Sequence, residues 1–211
     1  MVEQTRTGPP RGAVYGGQSR EERAADRRAR ISQAALELFA ARAYEDVTVA
    51  EVCDRAKVSK RYFYEHFSDR EDLLLAVHRQ QNDWLLAGAA AAAPPDPEDL
   101  DALLRPIMTT VVTMLTEHPD SAHVIYINAP RMEVRRRGVQ HRNAELLGRL
   151  VSRSVPLPRD RMRHERMLLA VVAGVTEVII DWLERGMEEE SAALADHLTA
   201  FATATLSAST L

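Results

Sequence analysis

Five polar-tipped side chains fall within residues 60–66 of the chain, and their types suit contact with phosphate groups. They are Lys60, Arg61, Tyr62, Tyr64 and His66. Tyrosine hydroxyls and lysine ammonium groups bind phosphate oxygens, which fix the register of a protein on DNA without reading its sequence. Lys57 and Lys60 are the only two lysines among 27 basic residues. The segment is therefore a candidate surface for a nucleic-acid backbone.

Two phenylalanines in the same segment indicate how it is held. Phe63 and Phe67 stand four residues apart, so on a helix they lie on one face and can anchor it to a core. With that face buried, Lys60, Tyr62 and Tyr64 are presented on the opposite surface. The alternative interpretation is a merely amphipathic, solvated helix. The flanking residues favour a surface for a nucleic-acid backbone.

Helix-capping residues place the elements that position this surface. Thr48 and Glu51 stand three apart ahead of an apolar-periodic run, and Ser68 with Glu71 repeats the spacing, so both pairs fit a capping box. Ser59 fits a simple N-cap. These starts predict a first helix near 49–55, a turn at 56–58 and a second helix near 59–66. Two helices joined by so short a turn form a helix-turn-helix, whose second helix is suited to the DNA major groove.

The residues around these helices follow a family pattern. Its pieces are an A-x-x-L-F run (Ala35, Leu38, Phe39), Tyr44, Thr48, Val58-Ser59, Tyr64-x-His66-Phe67 and D-R-E-D-L-L at 69–74. Residues 27–75 resemble the N-terminal domain of the TetR family of transcriptional regulators. Ala43 and Lys57 depart from it, because the family usually has glycine at both positions. A left-handed Lys57 costs about 1 kcal/mol relative to glycine; otherwise the turn closes differently.

The resemblance implies a function and a set of contacts. The implied protein is a sequence-specific DNA-binding regulator, a repressor that a small effector releases from a double-stranded DNA operator. The expected DNA-contacting residues are Thr48, Ser59, Lys60, Arg61, Tyr62, Tyr64, His66 and Arg70. Two interpretations from other classes stay open: an all-α enzyme or carrier that retains only the scaffold, and an architectural DNA-binding protein that no ligand releases.

Charge is distributed unevenly along the chain. The net charge is −4, but residues 1–30 hold seven arginines against four acids, whereas residues 181–196 hold six acids against one arginine. A basic front suits a protein that presents one end to phosphate. Residues 1–18 are rich in Gly, Pro and Arg and are expected to be a disordered arm, which either enters a minor groove or is a passive tail. We expect a DNA-binding domain at 19–75 and an effector-binding and dimerisation domain at 76–211.

Composition favours an all-helical protein. Of 211 residues, 45% are apolar but only 5% are aromatic. The single cysteine, Cys53, permits no intramolecular disulfide and is expected to be a buried core thiol. The sequence shows no signal peptide and no apolar run of the roughly 20 residues that span a bilayer. A cytoplasmic protein is expected.

Capping residues and prolines at the ends of helical segments predict about nine helices in total. Ser19 with Glu22 fits a capping box for the first, and Asp96 with Pro97 is expected to start the fifth, which Pro106 should kink. Besides the pair in the helix-turn-helix, the expected helices are 20–42, 69–92, about 97–117, 119–128, 131–153, 160–186 and 190–208.

The last two helices are expected to form a homodimer. Residues 167–183 are apolar on more than one face, and Leu194, Leu198, Phe201 and Leu206 form a stripe on the helix that follows. A monomer of this size has difficulty covering both, so pairing of two copies is the natural solution. The TetR resemblance implies the same dimer; a core helix within a monomer is the alternative.

The effector site is expected to be a mostly apolar cavity around the kink at Pro106. The candidate lining residues are Trp84, Met108, Val112, Tyr126, Asn128, Met132, His141, Met167 and Glu177. Methionine-rich linings adapt to bulky apolar molecules, which predicts a hydrophobic effector. For any single one of them, a plain core position is the competing interpretation. The arginines at 131, 135, 136, 137 and 142 are either a solvated face or a site for an anionic effector.

The sequence gives little support for a metal site or a catalytic site. Asp120 and His123 stand three apart, as metal ligands on a helix do, but no second pair accompanies them. No phosphate-binding glycine loop, nucleophile elbow or zinc-protease motif occurs. No metal, no cofactor and no catalytic residues are expected.

Overall fold

The computed structural model of the chain describes residues 19–128, 133–152 and 160–208, with residues 133–137 described by their backbone alone. The predicted arm at 1–18 and the predicted pocket residue Met132 lie outside the described residues. Within them the fold is all-α, as predicted. The helices are α1 Arg20–Ala41, α2 Val49–Ala56, α3 Lys60–Tyr64, α4 Arg70–Ala92, α5 Leu100–Glu117, α6 Pro119–Tyr126, α7 Glu133–Val151, α8 Arg161–Glu184 and α9 Ser191–Ser207, with a 3-10 turn at Tyr44–Asp46.

Two of the three predicted capping boxes are present. The Glu22 amide lies 3.0 Å from the Ser19 hydroxyl, and at the start of α2 the Glu51 amide lies 3.2 Å from the Thr48 hydroxyl. The predicted Ser68–Glu71 box is wrong, because Asp69 caps α4 by accepting from the Asp72 amide at 2.8 Å. The Asp69 carboxylate, one residue later, accepts from a free amide at the helix start, which is the role predicted for the Ser68 hydroxyl.

The start of α5 also differs from the prediction. Asp99 is the N-cap, and its carboxylate accepts from the Ala102 amide at 2.8 Å, so the helix begins three residues after Pro97. Pro106 lies inside α5, as expected, and the kink stays a prediction. No helix among the described residues is long and apolar enough to cross a membrane.

The buried apolar side chains form two clusters, one for each end of the molecule. The first joins α1 to α4 through residues such as Phe39, Phe63 and Leu73. The second joins α4 to α9 and includes Leu104, Leu115 and others. Helix α6 belongs to both clusters, because its Val124 is buried in the first while its neighbours Ala122 and Ile125 are buried in the second.

The predicted apolar stripe on α9 is mostly internal. Leu194, Leu198 and Leu206 are buried within the chain, where α9 packs against α5 and α8, and only Phe201 of that stripe is exposed. The leucines of α9 are therefore buried by α5 and α8 of the same chain. Any surface that remains for a second copy differs from the predicted stripe.

Candidate DNA-contact surface and ligand cavity

The turn between α2 and α3 closes through a left-handed residue. Lys57 has φ 55° and ψ 46°, and the Val58 amide donates to the Cys53 carbonyl at 3.0 Å. The first of the two alternatives for this glycine-favouring position is thus realised, at a cost of about 1 kcal/mol relative to glycine. Cys53 is buried, as predicted, and burial raises the pKa of its thiol.

Two rings anchor α3 in the core. Phe63 and Phe67 are fully buried, with their ring centroids 5.8 Å apart. Ser59 precedes the helix as predicted, but its side chain makes no capping hydrogen bond; its carbonyl accepts from the Phe63 amide at 3.2 Å instead. The hydroxyl of Ser59 is exposed and is not committed to the helix end.

The outward face of α3 carries most of the predicted contact residues. Lys60, Arg61, Tyr62 and Tyr64 are all exposed, and Tyr64 has 58% of its surface accessible. Arg61 forms an ion pair with Glu65 at 3.4 Å along the helix. This face therefore offers an ammonium group, a guanidinium group and two phenols to one side, as the phenylalanine spacing predicted.

Helix α1 adds two cations that the sequence argument did not place at the site. The Arg27 guanidinium lies over the Tyr62 ring at 4.4 Å, and that of Arg28 lies over the Phe67 ring at 5.0 Å. Desolvation, together with these two arginines, lowers the pKa of the half-buried His66. The sequence signal was the basic run at the front of the chain, but only the packing of α1 on α3 brings it to this surface.

Arg70, the last predicted contact residue, has partners inside the domain. Its guanidinium donates to the carbonyls of Glu45 and Val47, at 3.1 and 2.5 Å, and lies over the Tyr44 ring at 4.1 Å. It therefore ties the start of α4 to the segment between α1 and α2. Thr48 is likewise engaged in the capping box of α2.

A cavity of about 1070 Å³ opens between α4, α7 and α8, with the end of α6 as a further wall. It is lined by Ser68, Asp69, Glu71, Asp72, Leu75, His78, Arg79, Asn82, Ile125, Tyr126, Ile127, Gly138, Val139, Gln140, Arg142, Asn143, Thr176, Glu177, Ile180 and Glu184. Its size suits a drug-sized molecule.

The described lining of this cavity overlaps only in part with the predicted site. Tyr126 and Glu177 line it, and Met132 lies outside the described residues. Met108 and Val112 are buried in the second core cluster and Met167 packs against it, while the Trp84 ring contacts the His118 ring at 5.0 Å. The side-chain amide of Asn128 donates to the Phe39 carbonyl, and His141 is exposed on α7. Apolar character alone pointed to core positions, because it does not distinguish a packed interior from a pocket.

The lining is also far more polar than predicted. Its charged members are exposed, and its buried members include His78 and Asn82. His78 Nε2 lies 3.2 Å from the Ile125 carbonyl, and burial lowers the pKa of this imidazole, which keeps it neutral. Burial raises the pKa of the Tyr126 phenol. The cavity thus presents neutral hydrogen-bonding groups inside and charges at its mouth.

Metal chemistry finds no support in the part of the chain that the structure describes. No group of three or more His, Cys, Asp or Glu side chains there could hold a metal ion. The Asp120–His123 pair on α6 therefore stands without further ligands among those residues.

Comparison with known proteins places the helix-turn-helix in a family. Residues 31–77 match the family model described as bacterial regulatory proteins, tetR family. The HTH-type transcriptional activator FasR of Mycolicibacterium smegmatis is 40% identical over 67 residues, which make up 32% of this chain. The matched region is 31% of FasR, so the similarity covers about a third of this curated relative.

Solved structures share the fold over most of the chain. A TetR-family transcriptional regulator from Streptomyces coelicolor has a TM-score of 0.69 at 19% identity, over 88% of this chain and 82% of that one. The regulator FadR from Bacillus subtilis, solved in complex with stearoyl-CoA, has a TM-score of 0.63 at 14% identity, over 84% of this chain and 98% of that one. The N-terminal part of the chain is therefore similar to the DNA-binding domain of the TetR family, and the chain shares its fold with solved regulators of that family.

Proposed function

We propose that this chain represses transcription as a homodimer and leaves its operator when a small molecule occupies the cavity. The observation that carries the proposal is the position of the cavity directly behind the DNA-contact surface. Its wall includes Asp69, Glu71 and Asp72, the first residues of α4 and its cap, which follow α3 by only a few residues. An occupant therefore touches the helix on which the DNA-binding end is mounted.

Helix α6 offers a second connection between cavity and DNA-binding end. Ile125 and Tyr126 line the cavity, while Val124 is buried in the core of the DNA-binding end. Asn128, just after α6, donates a hydrogen bond to the carbonyl of Phe39 on α1. A shift of α6 is thereby coupled to α1, so an occupant that prefers one position of α6 favours one orientation of α3.

A homodimer gives this coupling its effect on DNA. Residues 172–175 of α8 are only half-buried in the single chain, although all four are apolar or glycine. Phe201 of α9 lies on Gly174, with 37% of its surface exposed, and Met162 is exposed further along α8. Pairing two such surfaces sets the separation of two α3 helices, which must match successive major grooves. A ligand that changes this separation lowers DNA affinity.

Since the operator lies on the chromosome, we also propose a cytoplasmic location.

The release step is tested by filling the cavity. Thr176→Trp places a large ring in the wall of the cavity, whereas Thr109→Trp places the same ring on the exposed face of α5. Fluorescence anisotropy of a labelled operator is followed while small molecules extracted from the host are added. We expect wild type and Thr109→Trp to release DNA and Thr176→Trp to respond weakly or not at all. Equal release from all three proteins overturns the assignment of the cavity.

The sign of regulation needs a separate measurement, since FasR is named an activator. Transcripts that start beside the bound operators are compared between cells with and without this chain. Repression predicts that these transcripts rise when the chain is absent, and a fall overturns the proposal.

A further inference from the structure

Two side-chain amides lie on the inner wall of the cavity. Asn82, on α4, is 4% exposed and lines the cavity. Asn143, on α7, has a buried Oδ1 that accepts no hydrogen bond among the described residues. Native proteins rarely leave buried carboxamides unpaired, because each loses its water without a replacement. The buried oxygen of Asn143, with the Asn82 side chain on the same wall, points to an occupant that donates a hydrogen bond to it.

The remaining inner groups are neutral as well. His78 is 7% exposed and is held against the Ile125 carbonyl, and burial lowers the pKa of its ring so that it carries no charge near pH 7. Tyr126 and Thr176 are half-buried hydroxyl groups, and Ile180 adds aliphatic surface beside them. A buried charge on the ligand would meet no opposite charge among the inner side chains that the structure describes.

The mouth of the cavity carries the charges, and they are mainly negative. Among the residues whose side chains the structure describes, five acids line it against two arginines, and all seven side chains are exposed: Asp69, Glu71, Asp72, Glu177, Glu184, Arg79 and Arg142. An excess of carboxylates around an opening repels anions and lowers their local concentration. Phosphate-rich ligands are therefore disfavoured at the entrance.

We propose that the effector is an uncharged or cationic molecule whose buried end carries a carbonyl, amide or hydroxyl group on an aliphatic body. This inference rests on the proposed function, because it names the ligand class of the same cavity. Asn82 and Asn143 each provide a donor and an acceptor for that group. An acyl chain attached to a polyanionic carrier, such as the stearoyl-CoA bound by Bacillus subtilis FadR, does not match this lining.

The ligand class is tested by calorimetry with three probes that need no DNA. Octanamide and octanoate share a chain and differ in the charge of the head group, and stearoyl-CoA represents the polyanionic class. We expect octanamide to bind at least about tenfold more tightly than octanoate, because the Asn143 oxygen accepts from an amide N–H, whereas the described inner wall offers a carboxylate no positive charge. Tighter binding of octanoate or stearoyl-CoA, or no binding of octanamide, overturns the proposal.

Two substitutions connect the binding to the amides of the inner wall. Asn82→Leu and Asn143→Leu keep the side-chain volume roughly constant and remove the polar atoms. Because the Asn143 oxygen accepts no hydrogen bond among the described residues, we expect the thermal midpoint of Asn143→Leu to stay the same or rise, while octanamide affinity falls about tenfold in both variants. Thr199→Val, a buried position on α9 outside the cavity, is the matched control and should leave octanamide binding unchanged.

The outcomes separate this inference from the proposed function. Octanamide binding that depends on Asn82 and Asn143 supports the ligand class, whether or not the probe releases DNA. Failure of cavity ligands to affect DNA then contradicts the release mechanism alone. Loss of folding in the leucine variants would show that these amides are structural, and would overturn the ligand role assigned to them.

Discussion

Lys60 and Tyr64 face outward because Phe63 and Phe67 hold the opposite side of α3 in the core. Tyr64 is more than half exposed, and Lys60 stands in the first turn of the helix. The Tyr64 ring contacts the Phe63 ring, but among the described residues no hydrogen bond or ion pair engages the Lys60 ammonium or the Tyr64 hydroxyl, so both are available for phosphate oxygens. The Arg27 guanidinium over the Tyr62 ring extends the cationic surface toward α1.

Lys60→Ala should weaken binding to all DNA sequences, because it removes one phosphate contact in each half-site. The slope of log affinity against log salt should fall by about one per half-site. Arg185→Ala removes the same charge from the residue that follows α8 and should leave the slope unchanged. The slopes are obtained by measuring DNA affinity over a salt series for wild type, Lys60→Ala and Arg185→Ala. An unchanged slope for Lys60→Ala contradicts the assigned orientation of α3.

Individual residues could be placed from sequence where spacing determines the face of a helix. Phe63 and Phe67 are buried as their i, i+4 spacing required, and Cys53 is buried with them. Arg70 was expected at the DNA, but backbone carbonyls of Glu45 and Val47 engage it. Those carbonyls belong to a preceding irregular segment, whose position no local spacing predicts.

Capping residues set where α2 begins, and charge strengthens the cap. Glu51 lies 2.7 Å from the Thr48 hydroxyl and 2.8 Å from the Thr48 amide, and it also pairs with Arg42 at 2.9 Å. The hydrogen bonds to Thr48, followed by the contact with Arg42, lower the pKa of Glu51 from 4.5 to about 2. The carboxylate form is thus the one that stabilises the start of the helix-turn-helix.

Glu51→Ala should lower the thermal midpoint at pH 7, because the carboxylate that accepts from the Thr48 amide and hydroxyl is lost, while the backbone amide of residue 51 can still donate to the Thr48 hydroxyl. A lowered folded-state pKa gives stability that is present above about pH 4.5 and is lost as pH falls toward 2. The difference from wild type should therefore shrink between pH 4.5 and pH 2. Glu71→Ala is the matched control on α4, where Asp69 is the cap, and it should change the midpoint much less. Equal losses for both variants contradict this description of the two helix starts.

Whole helices were predictable where caps and prolines mark them, and pockets were not. Boundaries of α1, α2, α8 and α9 follow local signals, and Asp160 caps α8 as expected. Ser68 and Asp69 show the limit, because adjacent residues can both cap and only packing selects one. The cavity escaped prediction because its wall combines residues from four helices, and their contact depends on tertiary packing rather than on any one periodicity.

The whole molecule joins a DNA-contact surface, a cavity and a half-exposed apolar surface on α8 and α9. Helices α4 and α6 connect the first two directly. In the proposed homodimer, the apolar surface holds two α3 helices at a fixed separation, so that each is placed at one half-site of an operator. Helix α8 carries both that surface and one wall of the cavity.

Ala200→Glu places a charge on the exposed face of α9 and should weaken the proposed dimer. Burying an unpaired carboxylate in an apolar contact is costly, so monomer should appear at micromolar concentrations. Ala87→Glu, on an exposed part of α4, is the matched control. Sedimentation velocity distinguishes the two variants; a wild-type dimer fraction for Ala200→Glu, or a wild-type protein that is monomeric, contradicts a dimer through this surface.

Sequencing the genomic fragments that the purified protein retains tests the assignment of a two-fold operator reader most directly. The fragments are sequenced from host DNA that has been passed over the wild-type protein and over Tyr64→Ala. We expect the wild type to enrich fragments sharing an inverted repeat, whose half-sites are spaced for two successive major grooves, and Tyr64→Ala to lose most of that enrichment. Retained fragments without any shared sequence, or the same enrichment by both proteins, would contradict DNA recognition through α3.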